Sequence, residues 1–332
     1  MSFVGIIINP ASGKDVRRLA AHATTFNNHQ KVSVVQRVLV ALCASGVTRI
    51  EIMPDPFGID RRALGGLSTH PEIAAAASLI EMDWEGTAAD TACAAGRLRA
   101  VGAGCIVVLG GDGTCRMAVM DCGEVPLLPL STGTNNVVPS FVDGTITGLA
   151  AGIVAAHSGE GRGRFCYRHK RLLVSINGRP TDEALVDVAV LEEWFAGTRA
   201  VWKADSLRCL FVTQAQPLNI GLSSVIGMVR SIDAAAPNGA AAAVGPNGIR
   251  VLAPIAPEAL ASVSLDPVHT LHPGVPFPFQ AGAPGVLALD GEREIALRPG
   301  DCVEITLALD DPWLVEVERT LRCRSQQDAT VG

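Results

Sequence analysis

Apolar runs and amphipathic stretches alternate through the first 150 or so residues. Phe3 to Ile8 (FVGIII) is a short apolar run that stops at the turn signal Asn9-Pro10. Lys14 to Phe26 has a helical pattern. So does Lys31 to Ala44, where Val35, Leu39 and Leu42 share a face. Val47 to Met53 is β-rich. Ile73 to Met82 has the pattern of a helix running into a strand, and the alanine-rich stretch from Glu85 to Val101 that of a helix. Cys105 to Leu109 (CIVVL) suits a strand buried on both faces of a parallel sheet. A helix from about Arg116, a strand over Val125 to Leu130 and a helix over Thr145 to His157 complete the alternation, which predicts a doubly wound α/β domain over 1–157.

Ser158 to Arg164 (SGEGRGR) is a linker candidate. Beyond it the pattern changes to short β-prone runs: Leu172 to Asn177, Ala184 to Leu191, Leu207 to Thr213, Ile249 to Leu252, Gly285 to Leu289 and Cys302 to Leu309. Turn residues separate them, which predicts a mainly antiparallel β domain over 165–310. Asp311-Pro312 has the form of an N-cap followed by a first-turn proline, and Trp313, Val317 and Leu321 recur at helical spacing. Residues 311–332 are therefore expected to be a C-terminal helix and tail.

Composition narrows the function. The chain has 332 residues, 48% of them hydrophobic and 18% charged, enough for a sizeable core in two domains. A net charge of −6 argues against a protein that coats nucleic acid or an anionic membrane. With aromatics at 4% and a single tyrosine, a base-stacking platform is not expected. The nine cysteines include no Cys-x-x-Cys pair and are expected to be small buried hydrophobes. No run of about 18 apolar residues and no basic leader is found. The expectation is a cytoplasmic protein with no membrane or nucleic-acid partner, assembled as a homo-oligomer, a dimer or tetramer.

Three loops carry chemistry. Gly110-Gly111-Asp112-Gly113-Thr114 follows the CIVVL strand, where open α/β sheets place ligands. Glycines admit a phosphate close to the backbone, and free amides at a helix start donate to it. Asp112 does not belong beside a phosphate unless it faces a metal ion or a hydroxyl to be deprotonated. The bland alternative is a tight turn capped by an aspartate. Ser131-Thr132-Gly133-Thr134-Asn135-Asn136, after the next strand, packs hydroxyls and amides around one glycine, as suits a phosphate or ribose; alone it equally suits an ordinary turn. Asn9-Pro10-Ala11-Ser12-Gly13-Lys14 follows the first strand. It is not a P-loop, because Ile8 stands where the first glycine is required, and no G-x-G-x-x-G occurs.

Together the loops resemble those of the NAD kinase and diacylglycerol kinase superfamily of ATP-dependent hydroxyl kinases. Within it, IINPASGKD, LGGDGT, STGTNNVVP, ALVDVAV and LALDGERE in this order are most similar to the acetoin-catabolism protein X group, described as ATP-NAD kinase-like. The resemblance implies a kinase that uses ATP and Mg2+, with NAD(H) as the first acceptor to consider. It makes Asp112 the base or Mg2+-organising carboxylate, and puts Asn9, Ser12, Lys14, Gly110, Gly111, Gly113, Thr114, Thr132, Gly133, Thr134, Asn135 and Asn136 around the nucleotide. Asp290 and Glu292, in a segment similar to the Asp-Gly-Glu motif of the lipid-kinase branch, become catalytic candidates in the second domain, and Asp187 a substrate contact. The chain departs from NAD kinases in two places: Val186 stands where their dinucleotide-gripping Asn-Glu pair begins, and their Thr-Pro-Thr-Gly-Ser-Thr string is absent. Two rival readings therefore stay open, a non-catalytic nucleotide sensor and a lipid kinase. His269-x-x-His272 is a weak zinc candidate, and the basic cluster Arg162, Arg164, Arg168, Lys170 and Arg171 has the character of a solvated domain edge.

Overall fold

The computed structural model describes residues 2–13, 26–132, 136–157, 159, 161–192, 206–256, 259–291, 293–309 and 312–323. The predicted class is the observed one: a parallel-sheet α/β domain, then antiparallel sheets, then a last helix at residues 317–323. Strands of the first half are β1 (Phe3–Ile8), β2 (Arg49–Ile52), β3 (Ala77–Leu79), β4 (Cys105–Gly110) and β5 (Leu127–Ser131), all parallel in the order β3-β2-β1-β4-β5. Between them run α1 (Asn28–Ala44), α2 (Ile59–Gly65), α3 (Pro71–Ala76), α4 (Ala89–Ala100) and α5 (Asp112–Cys122), with α6 (Gly144–Ala156) after β5.

Local chemistry explains these elements. Asn27 and Gln30 form a reciprocal capping box that starts α1 three residues before the apolar periodicity. Asp143 caps α6 through the Thr145 amide. The inner strands are buried end to end, as a parallel sheet covered on both faces requires. One core packs α1 and α6 against one face, and a second packs α4 and α5 against the other. The strand order reverses between β1 and β4. That reversal opens a crevice at the carboxyl ends of the two strands, and all three motif loops leave from that end of β1, β4 and β5.

The second half begins with β6 (Cys166–Arg168). It continues through β7 (Arg171–Ile176), β8 (Arg179–Ala184), β9 (Asp187–Leu191), β10 (Leu207–Val212), α7 (Ser223–Gly227), β11 (Gly239–Ala256), β12 (Ala259–Leu265) and β13 (His269–Leu271). Last come β14 (Phe277–Gln280), β15 (Gly285–Leu289), β16 (Arg293–Leu297), β17 (Cys302–Ala308) and β18 (Trp313–Val315). One antiparallel sheet runs β12-β11-β10-β9-β15-β16, and a four-stranded sheet runs β14-β17-β7-β8. They pack face to face over Phe211, Leu287, Val303 and Ile305.

Helical spacing places Trp313 in the first turn of the last helix, but Trp313–Val315 is a strand. It pairs in parallel with β5 at Leu314↔Leu127 and antiparallel with β6. An open sheet edge and an aromatic, β-branched triplet outweigh the periodicity, and the helix starts four residues later, at residue 317. The end of the chain thus completes the first sheet. The basic cluster is a solvated edge in part: Arg164 is exposed, whereas the others are half-buried or buried. Arg168 stacks over Trp313 at 4.2 Å and pairs with Glu124 at 2.8 Å, Arg171 pairs with Glu183 at 2.6 Å, and Lys170 is buried. The stretch expected as one strand over Ala184 to Leu191 is broken by a turn at 185–186 between β8 and β9.

Candidate active site

The glycine loop after β4 is shorter than the pattern suggests. α5 begins at Asp112, four residues before Arg116, because Gly111 is extended (φ −107°, ψ −172°) and its carbonyl accepts the Cys115 amide. Asp112 therefore sits in the first helical turn. It is 8% exposed. Its Oδ1 accepts the amides of Val137 and Val138 at 3.2 and 2.8 Å, and its Oδ2 the Val137 amide at 3.0 Å. These donors fix the carboxylate's orientation.

The three loops are stitched to one another by side chains. Asn9 Nδ2 donates to Thr114 Oγ1 at 2.8 Å, while Asn9 Oδ1 accepts the Ala11 and Ser12 amides at 2.9 and 3.2 Å. Ser12 Oγ shares a 2.6 Å hydrogen bond with Thr132 Oγ1, and the Thr132 amide donates to the Gly110 carbonyl at 3.2 Å. Asn136 Nδ2 reaches Ser131 Oγ at 2.8 Å. Two glycines are sterically required. A Cβ on Gly110 would lie 2.4 Å from the Thr114 side chain, and one on Gly13 (φ +78°) 2.5 Å from the Thr132 carbonyl oxygen. Gly111 and Gly113 lie in the same turn. Lys14, Gly133, Thr134, Asn135 and Glu292 fall outside the described residues, as does the helix expected over Lys14 to Phe26 apart from Phe26 itself.

Asp187 opens β9 in the second domain and is buried. Burial, then the charges of Asp290 and Asp112, push its carboxyl well above the usual carboxylate range, against a Ser223 amide that pulls it down. Asp187 and Asp112 are thus close enough to influence each other across the cleft. Asp290 occupies a different position from the one its motif suggests. Its backbone is left-handed (φ +48°), and its buried carboxylate accepts the amides of Leu185, Val186 and Asp187 at 3.0, 2.8 and 3.2 Å. This side chain holds the 185–187 turn, and burial raises its pKa despite the amides and Arg116.

Two participants were not singled out in the sequence. Lys31 is fully buried on α1, and its ammonium donates to the carbonyls of Asn9, Pro10 and Ser12 at 2.9, 3.0 and 2.6 Å, clamping the first loop from below. The signal was present: Lys31 lies at helical spacing with Val34, Val35 and Val38, a charge on the apolar face. Arg116, one turn after Asp112, reaches the second domain. His269 and His272 belong to no metal-holding cluster among the described residues; His269 packs against the Phe277 ring at 6.1 Å. Cys115 is packed in the core.

A parallel sheet whose strand order reverses between β1 and β4, a Gly-Gly-Asp-Gly-Thr helix start at the end of β4 and a following antiparallel β domain are the features of an NAD kinase-like architecture. Residues 4–158 match the ATP-NAD kinase N-terminal domain, and residues 170–310 the acetoin catabolism protein X C-terminal domain. The crystal structure of yeast NADH kinase complexed with NADH superposes with a TM-score of 0.50 over 95% of this chain and 83% of that one, at 14% identity, a likeness of fold. Acetoin catabolism protein X of Cupriavidus necator is 38% identical over 317 residues, 92% of this chain and 87% of that protein. The chain belongs to the acetoin catabolism protein X family. No helix among the described residues is long and apolar enough to cross a membrane.

Proposed function

We propose that this protein is a phosphotransferase that moves the γ-phosphoryl group of ATP to a hydroxyl group, with NAD(H) the first acceptor to test. One observation carries the reading: Asp112 stands in the first turn of a helix that opens on a glycine loop, its carboxylate aimed by two backbone amides and within electrostatic reach of Asp187 from the other domain. The match of residues 4–158 to the ATP-NAD kinase N-terminal domain supports it.

In this mechanism the amides at the start of α5, with the Thr114 hydroxyl, hold the polyphosphate, and the Ser12–Thr132 hydrogen bond keeps the facing loops in place. Lys31 keeps the first loop in shape. Asp112 takes the proton from the acceptor hydroxyl as its oxygen bonds to the γ-phosphorus. The bond from that phosphorus to the bridging oxygen breaks, and ADP leaves. The described residues offer no cage of three metal ligands. Mg2+ is commonly held by one or two carboxylates together with phosphate oxygens, and Asp112 is the carboxylate of the glycine loop. Asp112 would hold it, and the ion would offset the triphosphate's charge. Asp187 would face the acceptor.

Incubation with Mg2+, ATP and a panel that includes NAD, NADH and hydroxylated metabolites, with products identified by mass, tests the reading. A phosphorylated acceptor is expected. A specific feature favours the rival sensor: Val186 replaces the asparagine of the dinucleotide grip, and its amide is bound to Asp290. Tight ATP binding with no product from any acceptor would establish the sensor and end the kinase reading.

A further inference from the structure

Arg116 belongs to none of the three loops, yet it crosses between the domains. It follows Asp112 by four residues, so both side chains leave the same face of α5. The guanidinium is 5% exposed, with Nη1 3.3 Å from Asp182 Oδ1 and 3.3 Å from the Glu183 carbonyl, and Nε 3.8 Å from Asp290 Oδ2. All three partners lie in the second domain. Asp290 in turn holds the amides of residues 185–187, and its own amide donates to the Asp187 carbonyl at 3.0 Å. Leu185 and Val186 are buried in the same cluster as Cys115, Ala118 and Val119 of α5. A continuous chain of contacts therefore runs from Asp112 through one helical turn to Arg116, on to Asp290, and back to Asp187.

We infer that Arg116 is a positioning residue that docks the 182–187 segment of the second domain onto α5 and so sets Asp187 opposite Asp112. The inference rests on the phosphotransferase reading for its kinetic arm only. The physical need is plain. Burial and the charges of Asp290 and Asp112 disfavour the ionised form of Asp187, and burial does the same to Asp290, so this junction calls for a counter-charge. Arg116 is the cation at the junction, and its guanidinium pairs with Asp182 and Asp290. Its planar fork meets several acceptors at once, which a point charge does less well. The nucleotide loops make their described contacts within the first domain, so the device acts on the acceptor side and leaves ATP binding alone.

Three variants of the full chain test this: Arg116→Met, Arg116→Lys and Asp182→Asn. Arg116→Met is expected to lower kcat about 10- to 100-fold while KM and Kd for ATP stay within about twofold, the signature of a misplaced but intact site. Hydrogen exchange at the Leu185, Val186 and Asp187 amides should quicken by about tenfold or more, with the first sheet unchanged. Arg116→Lys should recover part of both losses. Exchange at 185–187 and turnover both equal to wild type in Arg116→Met would overturn the inference. So would a parallel fall in ATP affinity and in protection of the whole first domain, which marks general destabilisation. Should Arg116→Met not fold, the same readouts on Arg116→Lys and Asp182→Asn decide the matter. If the wild-type protein phosphorylates nothing, the kinase reading fails, and exchange with ATP affinity still judges Arg116.

Discussion

The two walls of the cleft are built on opposite principles. The first-domain wall is made of backbone amides, hydroxyls and close-packed glycines, bound to one another within a single domain and clamped by the Lys31 ammonium. The second-domain wall is made of buried carboxylates, Asp187 and Asp290, whose charged forms burial disfavours. The first wall suits a polyanion. The second disfavours charge and so suits a neutral hydroxyl-bearing group.

The comparison breaks first at Asp112. Asp112→Asn keeps an oxygen for the Val137 and Val138 amides, so the fold should survive while turnover falls roughly 10²- to 10⁴-fold; steady-state kinetics beside a thermal melt will decide. Next comes Lys31→Met. It takes the ammonium from three half-buried loop carbonyls, of which Asn9 keeps the Ser12 hydroxyl, and a loss of about 2–3 kcal/mol in urea denaturation is expected, because each unsatisfied acceptor costs about 1–3 kcal/mol and the ammonium's own desolvation is regained. ATP affinity, measured by calorimetry, should weaken with it.

His169 joins the walls, since it lies between β6 and β7 and its Nε2 bonds the Leu185 carbonyl at 3.0 Å. Burial lowers its pKa to about 4, and its Nδ1 has no partner among the described residues. The unfolded chain takes up this proton near pH 6.5 and the folded one only near 4. Stability is therefore lost as pH falls through that window, by about 3 kcal/mol at roughly 1.4 kcal/mol per pH unit. Urea midpoints of wild type and His169→Gln should diverge at neutral pH and converge toward pH 4. Smallest is Asp187→Asn. A raised folded pKa means that the wild type's relative stability is full below about pH 3.9 and is lost as pH rises. The variant should gain stability over wild type at pH 8 and not at pH 3, while turnover drops. A destabilised Asp187→Asn at pH 8 would refute the strained-carboxylate account of the second wall.

The pattern of the chain was legible where one interaction dominates. Buried parallel strands stood out as β-branched runs, and glycine loops at their ends as a ligand crevice. Legibility failed where distant segments compete. Trp313–Val315 follows helical spacing but joins an open edge of β5 that only the folded sheet presents. Asp290 sits in a motif that suggests catalysis, and its carboxylate is consumed by backbone amides from residues 185–187, more than a hundred positions away. Arg116 had no sequence signal beyond its spacing from Asp112, because its partners lie in another domain.

The sequence by itself determined the alternation of strands and helices, the β-rich second half and the three loops at the carboxyl ends of β1, β4 and β5. These follow from local periodicity and from glycine's lack of a Cβ, which neighbouring residues encode. Only the tertiary structure decided which carboxylate backbone amides tie down, where the chain's end is stitched in, and which cation meets the carboxylates of the second domain. Those outcomes depend on burial and on Coulomb interactions between segments far apart in the chain, and such energies have no value until the fold sets the distances.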